Sequence, residues 1–234
     1  MVNIFIKELK LFIKKPLGLV FIGVFFLAAS AVFVTNMLMG VTDIRNLFSQ
    51  YSGFLWFLIP ILSVGLLNYE KKNSTDRLLF TSPLSTLSIV LGKYLASLAI
   101  FLVAILTTFF FTPVFIAHSK PGFMLVLNSY FALFMYGSAI LAMGLFFGSL
   151  LKSSAGGLLA TSGLLIFSSQ LGLLKSIENL PEWLGKIMDL FFINGKYNLF
   201  FEDLVSPEAF VYFLSLAVIF VFLSCITADK RSSN

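Results

Sequence analysis

Six runs of the chain, 17–40, 53–69, 94–117, 123–151, 155–174 and 209–228, contain no Asp, Glu, Lys, Arg or His. Each is close to the ~20 apolar residues that carry a helix across a hydrocarbon core. In lipid the backbone must satisfy its own hydrogen bonds within the element, so runs of this length favour helices over open sheets. The expected fold class is all-α: a polytopic membrane protein with six transmembrane helices, in one domain over residues 1–234. The second run is the shortest, and Trp56 and Tyr69 suit the membrane interfaces around it. The composition agrees: 59% of residues are hydrophobic and 12% charged, against roughly 45–50% and ~25% in soluble domains. The 29 Phe residues need no hiding in a lipid solvent.

The cations set an orientation. With the N-terminus inside, the cytoplasmic parts hold Lys7, Lys10, Lys14, Lys15, Lys71, Lys72, Arg77, Lys93, Lys152, Lys230 and Arg231. The outer parts hold only Arg45, Lys120, Lys175, Lys186 and Lys196, and they carry most of the acids. The positive-inside rule then places both termini in the cytoplasm and accounts for the net charge of +5 without nucleic acid.

Residues 1–16, "MVNIFIKELKLFIKKP", read as an interfacial elbow helix. Ile4, Phe5, Leu9, Phe12 and Ile13 form its apolar face, the lysines reach headgroups, and Pro16 breaks it before the first span. This arm does not resemble a cleavable signal peptide, because the apolar run after it is too long and lacks a small-residue cleavage site. The outer segment 175–208 contains "LPEWLGKIMDLFF", where Trp183, Leu184, Ile187, Met188 and Phe191 recur at helical spacing behind Pro181 and Glu182. It predicts a short amphipathic or re-entrant helix closed by a turn at Asn194–Gly195, serving either as an outer gate or as a surface cap. Pro113 predicts a kink late in the third span. Gly144 and Gly148, with Gly156, Gly157, Ala160 and Gly163, permit close helix approach within this subunit or between two copies.

Several functions are disfavoured. Ion-coupled transport usually needs ionisable groups at membrane depth, and the most polar candidates in the spans are Gln170, Asn36 and Asn128. No carboxylate ring or carbonyl filter suggests a channel. Ser162–Gly163 has no His in any span to act as a base, His118 being in an outer loop. Cys225 is the lone Cys, so no disulfide or zinc set forms within the chain. No GxxxxGK[ST] occurs; "GKY" at Gly92 and at Gly195 lacks the upstream Gly and the hydroxyl. The chain is not expected to be an enzyme or to hold a metal or cofactor, and energy for any work must come from outside the membrane.

The polar segment 70–93 is where it could enter. Asn73, Ser74 and Thr75 are N-cap residues before "DRLLF", and Asp76 suits the positive end of a helix dipole. Pro83 ends that helix, and Ser82 can cap a second one in which Leu84, Leu87, Leu91 and Tyr94 share a face. Gly92–Lys93 then predicts a turn into the third span. The exposed Leu and Phe of this helix–turn–helix need a partner, either lipid or protein.

This stretch, "EKKNSTDRLLFTSPLSTLSIVLGKYLASL", resembles the loop of ABC-2 type transporter permeases: an acidic–basic opening, a Thr-Asp step, paired Leu, a Ser-Pro-Leu-Ser segment, then "IVLGKYL". It is most similar to the branch that includes the gliding-motility-type permease subunit. Asn73-Ser74-Thr75-Asp76 stands where many members have a Gly-containing step before Thr-Glu, and the short outer parts argue against a large extracellular domain. The resemblance implies that Thr75, Asp76, Arg77, Leu78, Leu79 and Phe80 form a coupling helix docked on a separate ATPase subunit, flanked by Glu70, Lys71 and Lys72. It implies an ABC ATPase pair binding ATP and Mg, a second permease subunit, identical or different, and a place in a bacterial cell membrane. The Phe-rich spans favour export of something amphipathic or hydrophobic. The alternative is a non-transporting scaffold that anchors a cytoplasmic partner through the same loop.

Overall fold

The computed structural model describes residues 2–14, 16–72, 86–151, 153–174, 181–202 and 206–232. Among them every regular element is helical: α1 (Val2–Lys14), α2 (Pro16–Leu38), α3 (Ile44–Lys72), α4 (Thr86–Thr107), a 3-10 turn (Thr108–Phe110), α5 (Thr112–Ser119), α6 (Phe123–Leu150), α7 (Ser154–Leu174), α8 (Glu182–Phe191), α9 (Ile193–Glu202) and α10 (Pro207–Ser232). Five of the described helices are long and apolar enough to cross a membrane: α2, α4, α6, α7 and α10. Helix α3 is longer still at 29 residues and contains the second apolar run. The near end of the bundle carries α1, the ends of α3 and α6 and the starts of α4 and α7; the far end carries α8 and α9.

Helix α6 is the axis. It packs most extensively on α10 and α3, and also on α7 and α4. Glycines make the approach possible. A Cβ at Gly137 would lie 2.2 Å from Phe101 Cε1 on α4, and one at Gly144 would lie 2.0 Å from Ser63 Oγ on α3. At Gly144, therefore, the small-residue pattern serves packing inside this chain. Asp43 caps α3: its Oδ1 accepts from the Arg45 N–H at 2.9 Å.

The elbow is present, and its buried face is the expected one except at Ile13, with Glu8 added. Ile4, Glu8 and Phe12 are buried at i, i+4 and i+8, with Phe5 and Leu9 half-buried, whereas Ile13 is exposed. Lys7, Lys10 and Lys14 are exposed. The helix lies on α4 and α2, and that contact corrects a second expectation. Gly92–Lys93 is not a turn. α4 runs unbroken from Thr86 to Thr107, and Gly92 is the place where α1 comes closest, since a Cβ there would lie 2.8 Å from Ile4 Cγ2. The glycine's missing side chain is used for helix approach, and Lys93 beside it is buried.

The third span differs from a single kinked helix over 94–117. It breaks into α4, the 3-10 turn and α5, with Pro113 in the first turn of α5. Proline lacks the N–H that the Phe109 carbonyl would have accepted, so the ladder cannot pass. Aromatic rings fill the break: Phe111 stacks between Phe26 and Phe33, at 5.3 and 4.9 Å, and Phe109 stacks on Tyr130 at 4.2 Å. Thr112 and Tyr130 share a hydroxyl–hydroxyl hydrogen bond of 2.6 Å.

Candidate functional site

Residues 75–80 lie outside the described residues. Glu70, Lys71 and Lys72 form the last turn of α3, so α3 runs as helix into the 70–93 segment, and α4 begins inside that segment at Thr86.

The outer set falls on α8. Met188 is buried, Leu184 is half-buried, and Trp183 and Phe191 are exposed at 63% and 59%; the Ile187 side chain lies outside the described set. The helix does not end in a turn at Asn194–Gly195. It stops at Phe191, and Asn194 and Gly195 sit in the first turn of α9.

What the far end does contain is a corner between α8 and α9, held by side chains from α6, α7 and α10 and by a backbone carbonyl of α3. Ser168 Oγ of α7 donates to the Phe191 carbonyl at 2.7 Å and accepts from the Ile193 N–H at 2.9 Å. Tyr212 of α10 donates to the Leu190 carbonyl at 2.8 Å. One hydroxyl thus satisfies two backbone groups at the break around Phe192. The Phe192 ring fills the space over two glycines: a Cβ at Gly172 or at Gly195 would lie 2.6 or 2.3 Å from it.

Helix α9 is fastened separately. Asn128 of α6 donates its amide to the Phe200 carbonyl. Tyr197 donates to the Phe48 carbonyl of α3 at 3.1 Å, and burial pushes its phenol well above the ordinary value, with Tyr136 adding to the rise, so it remains an O–H donor. Tyr136 of α6, fully buried, donates to Asn194 Oδ1 at 2.9 Å and accepts from the Trp56 indole N–H of α3 at 2.6 Å. Its ring packs on Tyr197 at 4.8 Å and Phe213 at 5.8 Å. Lys196 pairs with Glu208 near the start of α10.

Trp56 serves twice. Pro60 cannot donate to the carbonyl one turn earlier, and Ser162 Oγ of α7 donates to that Trp56 carbonyl instead, at 2.9 Å. The serine that superficially suggested a nucleophile is therefore a helix anchor. Composition pointed to Asn128, Asn36 and Gln170 as the polar groups of the spans. Asn36 pairs with Gln50 of α3, while Gln170 is exposed and donates to Ser169. The Trp56–Tyr136–Asn194 chain was missed; its only sequence signal was a Trp and a Tyr deep enough in apolar runs to need partners.

The model of the family described as "ABC-2 family transporter protein" matches residues 18–228 of this chain. The chain belongs to the ABC-2 transporter family. No curated protein matches it. As an ABC-2 permease it is a multi-pass membrane protein and a non-catalytic transmembrane subunit, whose family implies partnership with an ATPase. In this permease partly buried hydrogen bonds join spans to one another and to the α8–α9 corner.

Proposed function

We propose that the chain is the permease subunit of an ATP-binding-cassette exporter in a bacterial cell membrane, with both termini and the 70–93 segment in the cytoplasm. In this reading Thr75 to Phe80 dock on an ATPase subunit, with Glu70 to Lys72 alongside. ATP and Mg are bound by a pair of such partners. A second permease subunit, identical or different, completes the path, and lipid surrounds it. The cargo is amphipathic or hydrophobic, because the spans offer aromatic walls and no ionisable residue. The far end, with α8 and α9, faces outward.

The observation that carries the reading is the family match over residues 18–228, taken together with the helices on either side of the polar segment. α3 extends unbroken to Lys72 and α4 starts at Thr86. A push on the segment between two stiff helices is passed into the bundle rather than absorbed by slack chain.

Leu79→Asp tests it. The variant is expected to insert normally and to lose its co-purifying ATPase and its ATP-dependent transport, because an aspartate cannot enter an apolar cleft without a partner. Unchanged co-purification and transport would sink the docking assignment. Co-purification of a partner without ATPase activity would favour the scaffold alternative.

A further inference from the structure

The two halves of the far corner share one clamp, Ser168 of α7, and differ in their other side-chain bonds. The hydrogen bonds to α8 come from α7 and α10, through Ser168 and Tyr212. Those that reach α3 from α9 do so through side chains: Tyr197 to the Phe48 carbonyl, and Asn194 through Tyr136 to Trp56. Direct packing between α9 and α3 is slight; α9 rests on α6, α7 and α10. Its ion pair to Glu208 is on the surface, with Glu208 66% exposed, where such pairs hold weakly.

Tyr136 lies at the centre of this arrangement. It is on the axial helix, it is fully buried, and its hydroxyl is filled on both sides, by an indole donor from α3 and an amide acceptor from α9. Water cannot replace either partner there, so the chain of bonds stays closed unless a helix moves. Its α3 end is at Trp56, one turn before Pro60, where α3 has lost a ladder bond and is pinned to α7 by Ser162 instead. A proline step is where a long helix changes direction. Trp56 is therefore placed where displacement of the lower half of α3 meets the upper half.

We propose that Tyr136 is a positioning residue that ties α9 to α3, so that displacement of α3 at its Lys72 end is delivered to the α8–α9 corner. The displacement arrives at the corner around Phe192, where Ser168 clamps both sides and α9 is also linked to α3. The proposal rests on the reading of Thr75 to Phe80 as the ATPase docking surface.

The test uses the chain with its co-purifying ATPase in lipid nanodiscs, with the lone Cys225 replaced by Ser. Single cysteines report on two places: Asn198→Cys, exposed on α9, and Leu87→Cys, exposed on α4 after the docking surface. Maleimide labelling rates are compared without nucleotide and with ATP plus vanadate. The nucleotide is expected to change the rate at both positions by about fivefold, the lower end of coupling between sites. In Tyr136→Phe, and in Asn194→Leu, the response at Asn198→Cys is expected to vanish while that at Leu87→Cys persists. Asn194→Asp, which keeps an acceptor for the tyrosine O–H, is expected to retain both. The persistent Leu87→Cys response shows that the variants are folded and docked, which a merely structural loss would not leave intact.

A nucleotide response at Asn198→Cys that survives Tyr136→Phe overturns the proposal. So does a parent chain in which Leu87→Cys responds and Asn198→Cys does not. If neither position responds in the parent chain, the docking reading itself fails, and the relay loses its input with it.

Discussion

Helices α6 and α2 are both apolar from end to end, yet 78% of the spanning window of α6 is buried inside the chain and only 28% of that of α2. The more buried helix is the less hydropathic one, the reverse of what water would select. Lipid tails are as apolar as leucine, so greasiness gives a helix no reason to leave the lipid; close backbone approach and internal hydrogen bonds do. α6 carries Gly137, Gly144, Asn128, Tyr130, Tyr136 and Ser138, and most of these contact another helix. α2 carries Phe, Val, Leu and Ile, with a narrow buried line of Gly18, Phe21, Phe25, Ala29, Phe33 and Asn36. Its other sides, with Leu19, Val20, Leu27 and Val34, are exposed.

Substitutions can break this contrast. The largest effect is expected at Gly144→Leu, whose Cβ would lie 2.0 Å from Ser63 Oγ on α3: a loss of about 3 kcal/mol by overpacking. Its counterpart Gly23→Leu on α2, with nothing within 4 Å, should change stability by less than ~0.5 kcal/mol. Unfolding monitored by steric trapping in bicelles gives both numbers, and equal losses would mean that α2 also packs in the assembled protein.

Next is Phe25→Ala. The ring is fully buried, edge-on to Phe54 and Phe101 at 5.6 and 6.3 Å. In lipid the transfer part of the loss is absent, which leaves the cavity part, about 2 kcal/mol. Leu27→Ala, two residues on and 66% exposed, should be near neutral in the same assay. The smallest of the three is Ser162→Ala. It strands the Trp56 carbonyl that Pro60 has released, for about 1 kcal/mol. Amide hydrogen exchange around residues 57–61 should rise with it; unchanged exchange would show that the carbonyl has found another donor.

The element inventory was largely legible because the membrane imposes lengths: the apolar runs had to be helices, and the basic amphipathic arm could not enter the core. Pro113 was legible as an interruption, because a missing N–H is a local fact. What was not legible is direction. Gly92 looks the same in sequence whether it makes a turn or admits Ile4, and the difference lies in a helix almost ninety residues away. The apolar faces of Trp183, Phe191 and Ile13 could not be oriented, because in lipid an outward Phe and an inward Phe are both satisfied. The Trp56–Tyr136–Asn194 chain joins three distant segments, and no local pattern announces such a contact. Thr75 to Phe80 stood out in sequence for the opposite reason: they lie in a polar segment between long apolar runs.

The seat of α1 on Gly92 also has a consequence in time. The ribosome makes Ile4 about 90 residues before it makes Gly92, which at 5–20 residues per second is an interval of roughly 4–18 s. Through that interval the elbow has no groove to occupy, and two spans must be inserted before the third arrives to provide one. The exposed Lys7, Lys10 and Lys14 suit headgroups in the meantime, so α1 reaches its seat on Gly92 only after the third span has been made.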